Sequence, residues 1–170
     1  IDVCDIVPVG EHVAVVGHAL NKDALVTHLS ARILDQPITI TDISELNDVF
    51  IDVGESQIPP DATVHTSFFG RMFIVPTKHK WQATWTIDQW SEYRITNLIP
   101  YHGHEITGTH HPLACGLESL VHPQKGCYVG QEVLTRMRSR GKQGHCLVVR
   151  ENPAEKPTTE GQERSLCIVR

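Results

Sequence analysis

Paired cysteines are the first thing missing. Cys4, Cys115, Cys127, Cys146 and Cys167 are odd in number and widely spaced. No two form a CxxC pair, so neither a zinc ribbon nor a disulfide framework is indicated. Reduced thiols in a cytosol-like compartment are the simplest reading. No apolar run approaches the length of a membrane-spanning helix, and the chain does not open on a signal-peptide pattern. Positive charge is not in excess. The net charge is −5 with histidines neutral, so charge does not favour direct binding of nucleic acid. Repeats and low-complexity segments are absent. Aromatics make up only 6% of residues, yet Trp81, Trp85, Trp90 and Tyr93 fall in one short window. They either line a pocket for a flat heteroaromatic ligand or fill a core.

What is present suits a globular protein. The 170 residues are 40% hydrophobic and 21% charged, enough for one ordinary domain or two small ones with a real core. Val13, Val15 and Val16 mark a strand over 11–18. Asn21 caps a helix over 22–34, in which Leu25, Leu29 and Ile33 recur at helical spacing. Ile38, Ile40 and Ile43 among threonines predict a strand, followed by strands over 48–53, 63–67 and 71–75. Asp88 caps a predicted helix over 89–97, which Pro100 ends. Pro112 opens a short helix to Leu120 with Leu113, Leu117 and Leu120 on one face. A further helix runs from Gln131 to Ser139 and ends near Gly141. Strands follow at 146–149 and 166–169. The pattern predicts an α+β fold, organised as residues 1–77, 78–141 and 142–170. Ile1 and the abrupt strand 165–170 read as interruptions of a longer chain.

Chemistry concentrates in Lys125-Gly126-Cys127-Tyr128-Val129-Gly130-Gln131-Glu132. A cysteine just before a helix N-terminus, two residues from a lysine, sits where the thiolate is favoured. The glycines permit positive φ or close approach of the backbone to a ligand. Cys127 is either a reactive thiol or cluster ligand, or an inert thiol packed under the loop. Lys125 and Glu132 either orient a ligand or pair with each other at the surface. Arg136, Arg138, Arg140 and Lys142 form a basic run, either gripping phosphate, a polyglutamate tail or RNA, or forming a solvated helix face. His102, His104, Glu105, His110 and His111 crowd one loop. They match no metal-ligand spacing, although an H-x-H pair beside a carboxylate is a possible zinc or iron site. Cys115 and Cys146 read as core thiols.

The segment 125–132 resembles the K-G-C-[FY]-x-G-Q-E signature of YgfZ-type folate-binding proteins. These are relatives of the glycine-cleavage T-protein, an aminomethyltransferase, that serve iron–sulfur cluster assembly or repair. Arg94-Ile95 through Ile99-Pro100 and Glu105 is similar to that family's R-I-x-x-G-I-P…G-x-E segment. Pro112-Leu113-Ala114-Cys115-Gly116-Leu117 is similar to its P-L-E-A-G-L helix. The resemblance covers about residues 93–144. It implies an aminomethyltransferase-like folate-binding fold of mixed sheets with packed helices, followed by the start of a C-terminal β-barrel, here shortened at both ends. It implies tetrahydrofolate as cofactor, with Cys127 as the thiolate and Lys125, Gly126, Tyr128, Gly130, Gln131, Glu132, Arg94 and Arg136 around the ligand. It implies folate and iron–sulfur proteins as partners, support of cluster-dependent enzymes including tRNA-modifying ones, and a cytoplasmic or organelle-matrix location. An accessory factor is favoured over an aminomethyltransferase or a ligand-free adaptor. Two positions depart from the family pattern: Thr96 stands where T-proteins carry a pterin-contacting glutamate, and Leu98 stands where a glycine is usual.

Overall fold

The computed structural model describes residues 2–122, 125–140 and 144–170. The predicted helix end near Gly141, and Lys142 of the basic run, lie outside them. The fold is mixed α+β, with three small antiparallel sheets and few helices. Contacts divide the chain into two compact units, Val3–Thr84 and Trp85–Arg170, the latter joined by Asp2.

In the first unit, β1 (Asp5–Val9) and β2 (His12–Val16) form a hairpin closed by Gly10 at φ +59. Helix α1 (Lys22–Ser30) follows, and none of its residues is fully buried. It stops short of the predicted Leu34, which adopts a left-handed φ of +52. Strands β3 (Asn47–Asp52), β4 (Thr63–Ser67) and β5 (Gly70–Pro76) make a sheet of order β3-β5-β4. The predicted strand at Ile38–Ile43 does not form. Those isoleucines are exposed and pair with no neighbouring strand, and β-propensity without a partner strand makes no sheet. The buried apolar residues are Val7, Phe69, Met72, Phe73 and Val75. The Ser67 hydroxyl donates to Asp5 at 2.8 Å, fastening β1 to β4.

In the second unit, α2 (Ile87–Asn97) begins with Thr86, not Asp88, as its cap. The Gln89 N–H donates to Thr86 Oγ1 and the Thr86 N–H to Gln89 Oε1, a reciprocal capping box. The helix ends at Leu98, held left-handed at φ +54, with the Ile99 N–H reaching back to Arg94 O at 2.9 Å. The predicted helix over 112–120 splits into two 3-10 turns, Pro112–Cys115 and Glu118–Leu120. Gly116 separates them at φ +78, where a Cβ would approach Leu147 to 3.2 Å. Helix α3 spans Gln131–Arg140. Strands β6 (Cys146–Glu151), β7 (Thr159–Glu160) and β8 (Arg164–Val169) form a sheet of order β6-β8-β7. Ile95, Ile106, Leu113, Cys115, Leu117, Leu134, Leu166 and Cys167 make the core.

Two core expectations fail. Cys146 is exposed. Trp81 and Trp85 are 37% and 44% exposed. The aromatics of this unit pack on one another at the surface instead. Trp90 stacks on Tyr93, Trp85 meets Tyr93 edge-on, and Tyr101 meets Trp90 edge-on. No helix among the described residues is long and apolar enough to cross a membrane.

Candidate functional site

The motif turn enters α3 from the second unit's surface. Gly130 at φ +85 makes the corner, a conformation that favours glycine. The Gln131 N–H donates to Tyr128 O and the Leu134 N–H to Gly130 O, starting the helix. Leu134 is buried and anchors it. The side chains before that anchor face outward. Lys125, Cys127 and Glu132 are exposed, Val129 is 100% exposed, and Tyr128 and Gln131 are half-buried. Cys127 is therefore not packed under its loop.

Lys125 and Glu132 do not pair with each other. The Lys125 ammonium lies 4.4 Å from the centroid of the Tyr128 ring, a cation–π contact that holds one positive charge on the turn. Glu132 instead accepts from Arg136 one helical turn on. Gly126 is informative in another way. A Cβ built there meets no atom within 4 Å, so packing inside the fold does not require glycine. The bare backbone beside Cys127 leaves open space. Of the basic run, Arg136 serves Glu132 and Arg138 donates to Glu118 O at 3.0 Å. The Arg140 side chain lies outside the description.

Arg94 sits apart from this turn. It is 1% exposed and ion-paired with Glu105, itself 0% exposed. Arg94 Nη1 donates to Glu105 Oε2 at 3.0 Å and to Ile99 O at 3.2 Å, and Nη2 donates to Thr159 Oγ1 at 2.9 Å. The Tyr101 N–H donates to Glu105 Oε2 at 3.0 Å, and the Thr159 hydroxyl donates to Glu105 Oε1 at 2.7 Å. The Thr158 hydroxyl lies between Glu105 Oε1 at 2.6 Å and Leu166 O at 3.0 Å. The arginine face covers Tyr101, its carbon 5.1 Å from the ring centroid. A buried ion pair is favoured when its remaining donors and acceptors are also used; Glu105 meets that condition, whereas Arg94 Nε is buried without a partner among the described residues. This network clamps α2, the loop 101–106 and the C-terminal sheet together. It commits Arg94 to the interior rather than to an open site.

The histidine loop is dispersed. His111 Nδ1 accepts from the Ala114 N–H and so caps a 3-10 turn. The His110 and His145 rings lie 5.5 Å apart. Among the described residues no group of three or more His, Cys, Asp or Glu side chains is placed to hold a metal. Cys115 is fully buried, and its thiol donates to Glu105 O at 3.1 Å. Burial, then the nearby Glu105 carboxylate, pushes that thiol up to about 11.

Sequence reasoning missed the clamp. Arg94 and Glu105 are eleven positions apart and Thr159 a further fifty-four, with no periodicity connecting them. The available signal was an arginine on the inward stripe of a helix beside Ile95, a place that demands a buried partner. The arrangement as a whole offers one exposed thiol, one fixed ammonium and an open backbone on a turn, above a rigid interior. Comparison with protein-family models gives no match, and neither does comparison with curated proteins or with solved structures.

Proposed function

We propose that this protein is a tetrahydrofolate-binding factor for iron–sulfur cluster assembly or repair, supporting cluster-dependent enzymes such as those that modify tRNA. The observation that carries the reading is the exposed Cys127 beside Gly126, a glycine that nothing inside the fold requires. The K-G-C-Y-V-G-Q-E segment that resembles the YgfZ-type signature keeps its one thiol and its bare backbone open to a second molecule. The residues of the turn fit the chemistry of a folate. Lys125 and Arg136 offer cationic donors to the carboxylates of a glutamate tail, and the Gln131 amide can pair with the polar edge of a pterin. Arg94 drops out of this set because it is buried and both its Nη groups donate inside the fold, to Glu105, Ile99 O and Thr159. Bound tetrahydrofolate would supply a reduced carrier of one-carbon units. Cys127 supplies the nucleophilic or ligating sulfur, and Lys125, fixed on Tyr128, supplies a positive charge near it.

Support for the resemblance also comes from Leu98. It occupies a left-handed helix end, the conformation that explains a glycine at the corresponding family position. The aminomethyltransferase reading has weaker footing. Where T-proteins carry a glutamate for the pterin, Thr96 presents a hydroxyl that accepts from Arg164 at 3.3 Å.

Two measurements test the reading. Calorimetric titration with tetrahydrofolate is expected to give saturable binding that weakens in Lys125→Met. In cells lacking the native protein, Cys127→Ala is expected to fail to restore the activity of a cluster-dependent enzyme. Full restoration by Cys127→Ala removes the thiol's role, and absence of binding heat leaves only an adaptor.

A further inference from the structure

Two histidines from distant parts of the second unit meet at a place that the motif turn does not use. His110 lies two residues before the 3-10 turn Pro112–Cys115. That turn is firmly rooted: His111 caps it by accepting from the Ala114 N–H, and Leu113, Ala114 and Cys115 are buried. His145 immediately precedes β6, whose first residue, Cys146, is paired with Val169 of β8. Gly144, at φ +76, turns the chain into it. β6 packs against the 3-10 turn, with the Leu147 side chain filling the space beside Gly116. This packing brings the His110 and His145 ring centres to 5.5 Å from each other.

The contact is not a stack, because the ring planes are tilted by 48°. Neither imidazole has a hydrogen-bond or ion-pair partner among the described residues. Each neutral ring therefore keeps a nitrogen lone pair that the fold does not use. Two imidazoles that share one tetrahedral ion through bonds of about 2 Å stand roughly 5 Å apart between ring centres. The observed separation is close to that spacing. His145 is exposed and His110 half-buried, so water reaches the pair and can fill the remaining coordination positions. The donor set also selects the ion. Calcium and magnesium take oxygen ligands, whereas imidazole suits zinc, copper and nickel. Among the described residues no third His, Cys, Asp or Glu side chain converges with the pair, so the neighbouring Cys146 thiol is not a ligand. We propose that His110 and His145 form a two-imidazole chelate for a divalent transition-metal ion of the zinc, copper and nickel class, completed by water.

The test is an NMR titration of the untagged full chain, its histidines isotope-labelled, with nickel chloride. Paramagnetic nickel broadens the signals of the rings that hold it. The His110 and His145 rings are expected to broaden together, at nickel concentrations about tenfold below those that affect the other histidines. His110→Gln is expected to weaken nickel binding at His145 about tenfold, and His145→Gln to do the same at His110, because each leaves one bond where there were two. Neither ring has a partner inside the fold, so both variants are expected to unfold at the parent's urea midpoint. Cys146→Ser is expected to leave nickel binding unchanged. Broadening spread evenly over the exposed histidines, no broadening, an unaltered affinity at one histidine when the other is replaced, or loss of binding in Cys146→Ser overturns the proposal. No folate is present in this titration, so its outcome is independent of the folate-binding reading.

Discussion

Leu98, like Leu34, holds a left-handed backbone that its side chain disfavours. A left-handed φ of +54 costs a leucine roughly 1 kcal/mol that a glycine avoids. The side chain is 45% exposed, so little packing is lost with it. Leu98→Gly is expected to raise stability by about 0.5 to 1 kcal/mol in urea denaturation. A loss of stability would show that the leucine's packing outweighs the strain. Cys115 makes a second residue-level prediction. Its thiol is raised in the folded state from the ordinary 9.0 to about 11, first by burial. The folded protein therefore keeps a proton that the unfolded chain gives up. Stability from this group is complete below pH 9.0 and is lost as pH rises toward about 11. Cys115→Ala is expected to flatten the fall in stability across that window. An unchanged slope would assign the alkaline loss to other groups.

At the scale of elements, α2 is the piece on which the second unit depends. It places Arg94 and Ile95 in the interior. It owes its start to two reciprocal hydrogen bonds between Thr86 and Gln89 and its stop to Leu98. Thr86→Ala removes the acceptor for the Gln89 N–H and is expected to cost about 1 kcal/mol, measured as a shift in the urea midpoint at unchanged slope. Thr86→Ser, which keeps the hydroxyl, is expected to recover most of it. Failure of serine to do so would mean that the methyl group, not the cap, was lost. By contrast, α1 has the cleaner helical periodicity in sequence yet buries no residue fully. Periodicity reports which face turns inward, but not how much protein lies there to receive it.

For the molecule as a whole, the Arg94–Glu105 clamp is the strongest single commitment of the second unit. Removing one partner leaves an uncompensated charge at a site that water does not reach. Glu105→Leu is expected to cost about 3 to 5 kcal/mol. The double variant Arg94→Met/Glu105→Leu is expected to regain much of that, because no orphan charge remains. A double variant as unstable as Glu105→Leu would show that the hydrogen bonds to Tyr101 and Thr159, rather than charge, carry the energy. This clamp also separates interior chemistry from surface chemistry. Motif residues divide between it and the exposed turn around Cys127.

The sequence by itself determined the α+β class, the motif turn and its helix, the strand at β5, and the end of α2 before Pro100. These are local matters: glycine at positive φ, proline without a donor, and alternation or helical spacing over a few residues. Only the tertiary structure decided that Arg94 pairs with Glu105, that Cys146 and Cys127 face outward while Cys115 keeps the core place its sequence suggested, and that Ile38–Ile43 forms no strand. It alone decided that Trp85 and Trp90 pack on Tyr93 at the surface and that the connection from β6 to β7 crosses β8. Each of these depends on a partner distant in the chain, or on the lack of one, and burial and pairing across such distances leave no periodic mark in the sequence.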